Sequence, residues 1–266
     1  MGSAVLRADH VREDAPPWLL EDTMSEQLID LDAIEEVRHE IGRWAPDVRA
    51  AFRLAHAVRT RQAEDVAVNG LAETRVDYVL LGAGFDTFAW RHPAAAHFRV
   101  HEIDHPMTQD WKRRSLRDHG LGELTNVRFD AVDLASIPLE RVETPNVATW
   151  SCLGVTMYLE PLVTEEILRT IARKGAGTTL VVNFVVADVE LDDLSRAVQT
   201  TAADVVSRAG EPMRARFARG ECVDLLEGAH FAQFSLLDAA ALKERYFPRR
   251  ADLRLPDSTL ICIARV

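Results

Sequence analysis

The residues Val79-Leu80-Leu81-Gly82-Ala83-Gly84-Phe85-Asp86-Thr87 put a glycine pair directly behind an apolar run. About twenty residues later a second apolar run ends in an acid, Asp104, the spacing at which α/β sheets hold an adenosine-containing ligand. Glycines let the backbone turn beneath the ligand, and the acid accepts hydrogen bonds from the ribose hydroxyls. A dinucleotide site would place a third Gly or Ala at position 87, where helix and strand close around a pyrophosphate; here Thr87 stands behind Asp86. A carboxylate in that turn repels a pyrophosphate but suits a cofactor carrying an amine and a positive sulfur. The pattern therefore selects S-adenosylmethionine, with S-adenosylhomocysteine as its spent form.

Other residues offer chemistry with a bland alternative beside each. His101-Glu102-Ile103-Asp104-His105 matches His-Glu-x-x-His, which on a helix would bind zinc and support a hydrolase. The segment continues an extended run, and Pro106 disfavours helical geometry at His105. In a strand the two imidazoles stand roughly 13 Å apart, too far for one metal, so no metal site is expected. Arg59 offers a guanidinium fork for the carboxylate of the cofactor's methionyl end, or is a structural arginine on a solvated helix face. Asp133-Leu134 can hold adenine, the acid taking the exocyclic amine and Leu134 packing on the ring; taken alone, the pair reads rather as a helix cap followed by a core leucine. The apolar exit Cys152-Leu153-Gly154-Val155-Thr156-Met157-Tyr158 suits a wall where methyl donor meets acceptor, which makes Met157 and Tyr158 candidates for substrate contact or for core packing.

These groups need a frame. Apolar runs at 76–81, 98–103, 127–130, 147–152 and 178–186 alternate with helical stretches, the pattern of parallel strands buried on both faces. Runs at 233–237 and 260–266 complete a seven-stranded, doubly wound α/β sheet. Helices are expected around 28–41, 47–68, from Pro161, over 191–209 and over 221–227. Residues 1–25, charged and without sustained periodicity, read as an arm lying over the main body. The expected division is an N-terminal arm with helices over 1–72, covering the cofactor site, and a core over 73–266 with a substrate lid around 188–220.

A net charge of −11 argues against nucleic acid as a partner. The short basic clusters Lys112-Arg113-Arg114 and Arg249-Arg250 read as solvated helix face or loop. No apolar window approaches the ~20 residues of a membrane span. With no leader pattern and three scattered cysteines, the expectation is a cytoplasmic protein with a small-molecule substrate. Cys152, Cys222 and Cys262 read as small core hydrophobes. Oligomeric state is not written in these features.

Leu-Gly-Ala-Gly-Phe-Asp-Thr (81–87), Glu-Ile-Asp-His-Pro (102–106) and Gly-Val-Thr-Met-Tyr-Leu (154–159), in this order, resemble the leucine carboxyl methyltransferase-like family of class I S-adenosylmethionine-dependent O-methyltransferases. Arg59-Thr60, Asp133-Leu134 and the later Arg216-Phe217-Ala218-Arg219-Gly220 extend the resemblance over nearly the whole chain. It implies that Arg59 binds the cofactor carboxylate and that Gly82 and Gly84, with Ala83 between them, line the methionine moiety. It implies also that Asp104, beside His105, holds the ribose, and that Asp133 and Leu134 take the adenine end. Many members carry Glu immediately before the Gly-Val segment; Leu153 stands here, leaving that contact absent or supplied by Ser151. The length fits small bacterial members that act on metabolites of secondary metabolism. The expected reaction is methyl transfer to an oxygen of a small organic acceptor, a carboxylate foremost. A phenol or alcohol would need a base, with His105 and Tyr158 the candidates. A non-methylating isomerase or cyclase, or a binding protein, would use the same cofactor site.

Overall fold

The computed structural model describes every residue except Asp188 and Glu190. Seven strands form one sheet: β1 (Asp77–Leu81), β2 (Arg99–Asp104), β3 (Val127–Ala131), β4 (Thr149–Cys152), β5 (Thr179–Val185), β6 (Gln233–Leu237) and β7 (Thr259–Arg265). Their order is β3-β2-β1-β4-β5-β7-β6, and only β7 runs antiparallel to its neighbours. β1, β4 and β5 are buried at every position, as strands covered on both faces are, and the apolar residues 79–81 and 180–182 lie within β1 and β5. The order reverses between β1 and β4, so a crevice opens beyond their carboxyl ends, where open α/β sheets bind ligands.

The helices are α1 (Gly2–Glu13), α2 (Leu31–Gly42), α3 (Pro46–Gly70), α4 (Phe88–Arg91), α5 (Pro106–Asp118), α6 (Pro161–Ala172), α7 (Asp193–Arg208), α8 (Arg219–Gly228) and α9 (Ala239–Tyr246). Proline opens α3, α5 and α6, where its missing N–H costs nothing. The side chains of β4, β5 and β7 that face α6 and α8 build one core around Trp150, Phe184 and Cys262. A second core joins the N-terminal helices to the sheet, packing Val5, Leu28, Phe52 and Leu194 around Phe85 and Leu116.

Two expectations change. Residues 2–13 are helix, not irregular arm, and Ala4 through His10 are buried without interruption. Lys112, expected on a solvated face, is fully buried, its ammonium donating to Glu102 Oε2 and to the Asp86 carbonyl, each at 2.6 Å. All three cysteines are buried, as small core hydrophobes would be.

Candidate functional site

The glycine turn after β1 is built by backbone geometry. Gly82 has φ +65°, and a Cβ there would stand 2.3 Å from Val155 Cγ2, so no side chain fits where the exits of β1 and β4 approach. Gly82 N–H donates to the Ile103 carbonyl at 2.8 Å, tying the turn to the end of β2. Ala83 lies between the two glycines, and its carbonyl accepts from Asp86 N–H at 2.9 Å. Asp104, at that strand end, accepts from Gly84 N–H and, at 2.6 Å, from His105 N–H. Burial pushes the Asp104 carboxyl up against the pull of those two amides. A carboxylate has about four acceptor positions, so two remain for hydroxyl donors.

Arg59 lies on α3 above the exit of β4. Its guanidinium donates to Ser3 Oγ at 3.3 Å and makes no ion pair among the described residues. Burial, then the charge of Arg7, lower its pKa to about 10. Gly154 has φ +72°, and a Cβ there would meet Arg59 Nη2 at 3.3 Å, so glycine lets the guanidinium approach the backbone. Asn183, fully buried on β5, fixes this exit by accepting from Gly154 N–H at 2.7 Å through Oδ1 and from Thr156 Oγ1 at 2.8 Å through its carbonyl. A half-buried cation with no carboxylate among the described residues is the donor set that an α-amino acid carboxylate would complete. The cradle at Gly82, the acid at Asp104 and the cation at Arg59 thus fit the two ends of S-adenosylmethionine.

The other candidates divide. Tyr158 lies near Arg59, and burial pushes its phenol up, so it stays protonated at neutral pH. Met157 is buried, and its carbonyl accepts from Arg214 N–H at 2.7 Å, docking the 214–217 segment against the exit of β4. Asp86 Oδ1 accepts from Phe88 N–H at 2.8 Å just ahead of α4, so its carboxylate already has a backbone partner. Asp133 accepts from Ala135 N–H at 3.0 Å and Ser136 Oγ at 2.7 Å in a turn, and Leu134 joins the central core. The hydroxyl of Asp133's partner Ser136, then the amide, hold that exposed carboxyl below its usual range. Ser151 is buried in β4 near Tyr78, and Leu153 packs against the core that contains Leu54 and Val58 of α3. His101 lies in β2 bonded to Asp77 at 3.0 Å, whereas His105 caps α5, its Nδ1 accepting from Met107 N–H at 3.3 Å. The zinc-binding helix that His-Glu-x-x-His requires does not form.

Three further groups carry no sequence motif. His56 sits one turn before Arg59 on the same face of α3. Its Nδ1 lies 2.8 Å from the Phe52 carbonyl, which can only accept, so Nδ1 carries the proton and Nε2 is left as a base. Burial, then the charge of Arg59, push the His56 pKa well below that of a free imidazole. Arg7 donates to the Phe85 carbonyl and to Asp22 Oδ2, both at 2.7 Å, and Thr87 Oγ donates to Asp22 Oδ1 at 2.7 Å. The N-terminal segment therefore grips the glycine turn from above through two buried charges.

A sequence profile of the family described as leucine carboxyl methyltransferase matches residues 1–172. The Bacillus subtilis protein YktD, whose name assigns it provisionally to the S-adenosyl-L-methionine-dependent methyltransferases, is 27% identical over 94% of this chain and 91% of its own length. A Mycobacterium marinum protein with the same provisional name is 30% identical, but the match spans 45% of this chain and 39% of that protein. A crystal structure from Thermobifida fusca YX, titled provisionally as a methyltransferase, superposes with TM-score 0.61 at 17% identity, over 91% of this chain and 92% of the other. That likeness concerns the fold.

Proposed function

The chain belongs to the leucine carboxyl methyltransferase family, and from that premise we propose that it transfers a methyl group from S-adenosylmethionine to a carboxylate oxygen of a small organic acid. The observation that carries the cofactor assignment is the half-buried Arg59 guanidinium, which among the described residues has a serine hydroxyl but no carboxylate as partner. When bound, S-adenosylmethionine supplies the electrophilic methyl carbon and a sulfur that leaves as a neutral thioether. Arg59 takes the methionyl carboxylate, Gly82, Ala83 and Gly84 admit the amino-acid chain, and Asp104 receives the ribose hydroxyls. Asp133 and Leu134 flank the adenine end, with Asp133 giving up its Ser136 contact to do so. The N-terminal helices cover the cofactor, and the described part of 188–220, led by α7, closes over the acceptor against Met157 and Tyr158.

A carboxylic acid of pKa about 4 is already ionised at neutral pH, so the chain has only to align it and exclude water. The two bases named from sequence suit that division. His105 is spent on capping α5, and the Tyr158 phenol is held protonated. One observation favours a hydroxyl acceptor instead: the unprotonated Nε2 of His56, one turn from Arg59.

Calorimetry with S-adenosylhomocysteine on wild type and Arg59→Gln tests the cofactor site. Loss of a charge-assisted hydrogen bond should weaken binding by about 1.5–3 kcal/mol; equal affinity in the two proteins would remove Arg59 from the site. Turnover of a panel of carboxylic acids, measured across neutral pH, tests the acceptor. The carboxylate reading expects a flat kcat and an active His56→Asn variant. A hydroxyl acceptor expects a loss of about a hundredfold or more in that variant.

A further inference from the structure

A large cavity lies away from the methyl-transfer crevice. It holds about 970 Å³ between the C-terminal half of α3, α9 with the loop behind it, and residues 17–19 of the N-terminal segment. Arg59 and Arg61 are two positions apart on α3, roughly 200° around the helix, so Arg59 serves the crevice while Arg61 lines this cavity. Six guanidiniums border it, from Arg61, Arg75, Arg245, Arg249, Arg250 and Arg265, against one carboxylate, Asp65. In a chain of net charge −11, that concentration of one sign is a local inversion of the molecule's field.

Three of the six are already committed. Arg61 donates to Asp65 Oδ1 at 2.7 Å and to the Leu19 carbonyl at 3.0 Å. Arg75 pairs with Glu73 and donates to the Gly177 carbonyl at 3.0 Å, and Arg250 pairs with Asp252 at 2.7 Å. Among the described residues the other three form no ion pair with an acid, although Arg265 is near enough to Glu73 to help lower its carboxyl. Arg245 has only the neutral amide of Gln62, at 2.8 Å, while Arg249 and Arg265 have no hydrogen-bond or ion-pair partner among the described residues. Gln62 Oε1, which accepts from Arg245, also lies 3.1 Å from Tyr246 Oη, and that hydroxyl shares its one proton between Gln62 Oε1 and Asp65 Oδ2 at 3.0 Å, so this side of the cavity is a connected polar network. Trp18 and Tyr246 add aromatic surface, and Leu253 and Ile263 add an apolar wall. The volume matches that of small-molecule sites, and planar forks without carboxylates are the donors that bind phosphate oxygens.

We propose that this cavity is a second ligand site, binding a small phosphorylated molecule of at least two negative charges through Arg245, Arg249 and Arg265. The site is separate from the cofactor crevice and independent of the methyl-transfer assignment. Both arginines to be changed are exposed, so Arg249→Gln/Arg265→Gln leaves the folded core intact. Calorimetry with pyrophosphate at low ionic strength should show submillimolar binding that weakens as salt rises. The double variant should bind pyrophosphate at least about tenfold more weakly, while its affinity for S-adenosylhomocysteine stays within about twofold. ADP, titrated into protein saturated with S-adenosylhomocysteine, separates two sources of the phosphates. Tighter binding than pyrophosphate assigns a nucleotide, and equal binding assigns the phosphates alone. Absence of pyrophosphate binding at millimolar concentration, or equal affinity in wild type and the double variant, overturns the proposal.

Discussion

Single side chains in the crevice are tuned by what surrounds them, and His56 shows this most directly. Its Nδ1–H is used by Phe52, and burial beside Arg59 and Arg7 disfavours a second proton. The folded pKa is therefore depressed, while the unfolded chain keeps the ordinary value near 6.5. Below that value the unfolded state takes up a proton that the folded state refuses, so this group's contribution is present above pH 6.5 and is lost as pH falls. One proton limits the slope to about 1.4 kcal/mol per pH unit, and partial exposure of the ring reduces it further. Urea midpoints at pH 7 and pH 5 should fall less steeply in His56→Asn than in wild type. Parallel slopes would show that the ring takes up its proton equally in both states. No motif marks this histidine in the sequence. A lone His on a helix reads as any other until Arg59 and the carbonyl four residues back are seen beside it.

At the level of elements, the strands were readable because parallel strands buried on both faces must be apolar throughout, and 79–81 and 180–182 are. The turn at Gly82 and the acid at Asp104 were readable for the same reason, since they follow the strand ends. α1 was not. Its residues 4–10 are buried on every side, so no apolar stripe repeats at helical spacing, and its charges are hidden by partners distant in sequence. Arg7 finds Asp22, Asp9 finds Arg38 at 2.7 Å, and Thr87 closes the first pair from the glycine turn. α5 escaped notice because a charged face conceals the buried Lys112–Glu102 pair, which only the register of β2 brings together. Burial opposes a charged Asp22, but Arg7 and Arg91 hold its carboxyl below the usual range. Asp22→Ala would strand Arg7 in the interior, at a cost of roughly 3–5 kcal/mol. Urea unfolding should show that loss, and Arg7→Met in the same chain should recover part of it. If the double variant is no more stable than Asp22→Ala, the pair does not couple α1 to the turn. Thr87, which on sequence argues only against a dinucleotide, thus helps anchor α1 over the site.

At the scale of the molecule, the crevice is assembled from segments far apart in sequence: Ser3 and Arg7 from the first helix, Arg59 from α3, and the exits of β1, β2 and β4 from the sheet. The N-terminal core that holds them is not separable from the sheet, because Phe85 of the glycine turn and Leu194 of α7 pack into it. One cooperative unit is expected across the boundary at about residue 72, where the N-terminal helices give way to the α/β core. The indoles report on both regions. Trp44, Trp90 and Trp111 pack against the N-terminal core, and Trp150 is buried in the central one. Thermal unfolding followed by tryptophan fluorescence and by far-ultraviolet circular dichroism should therefore give a single coincident transition. A ligand that binds only the folded chain adds about 2.7 kcal/mol at a hundred times its dissociation constant. For a chain of this size that should raise the midpoint by roughly 5–10 °C with S-adenosylhomocysteine, in both signals together. A biphasic melt in which the ligand shifts only one phase would mean that the N-terminal helices fold apart from the sheet and close on the cofactor as a separate body.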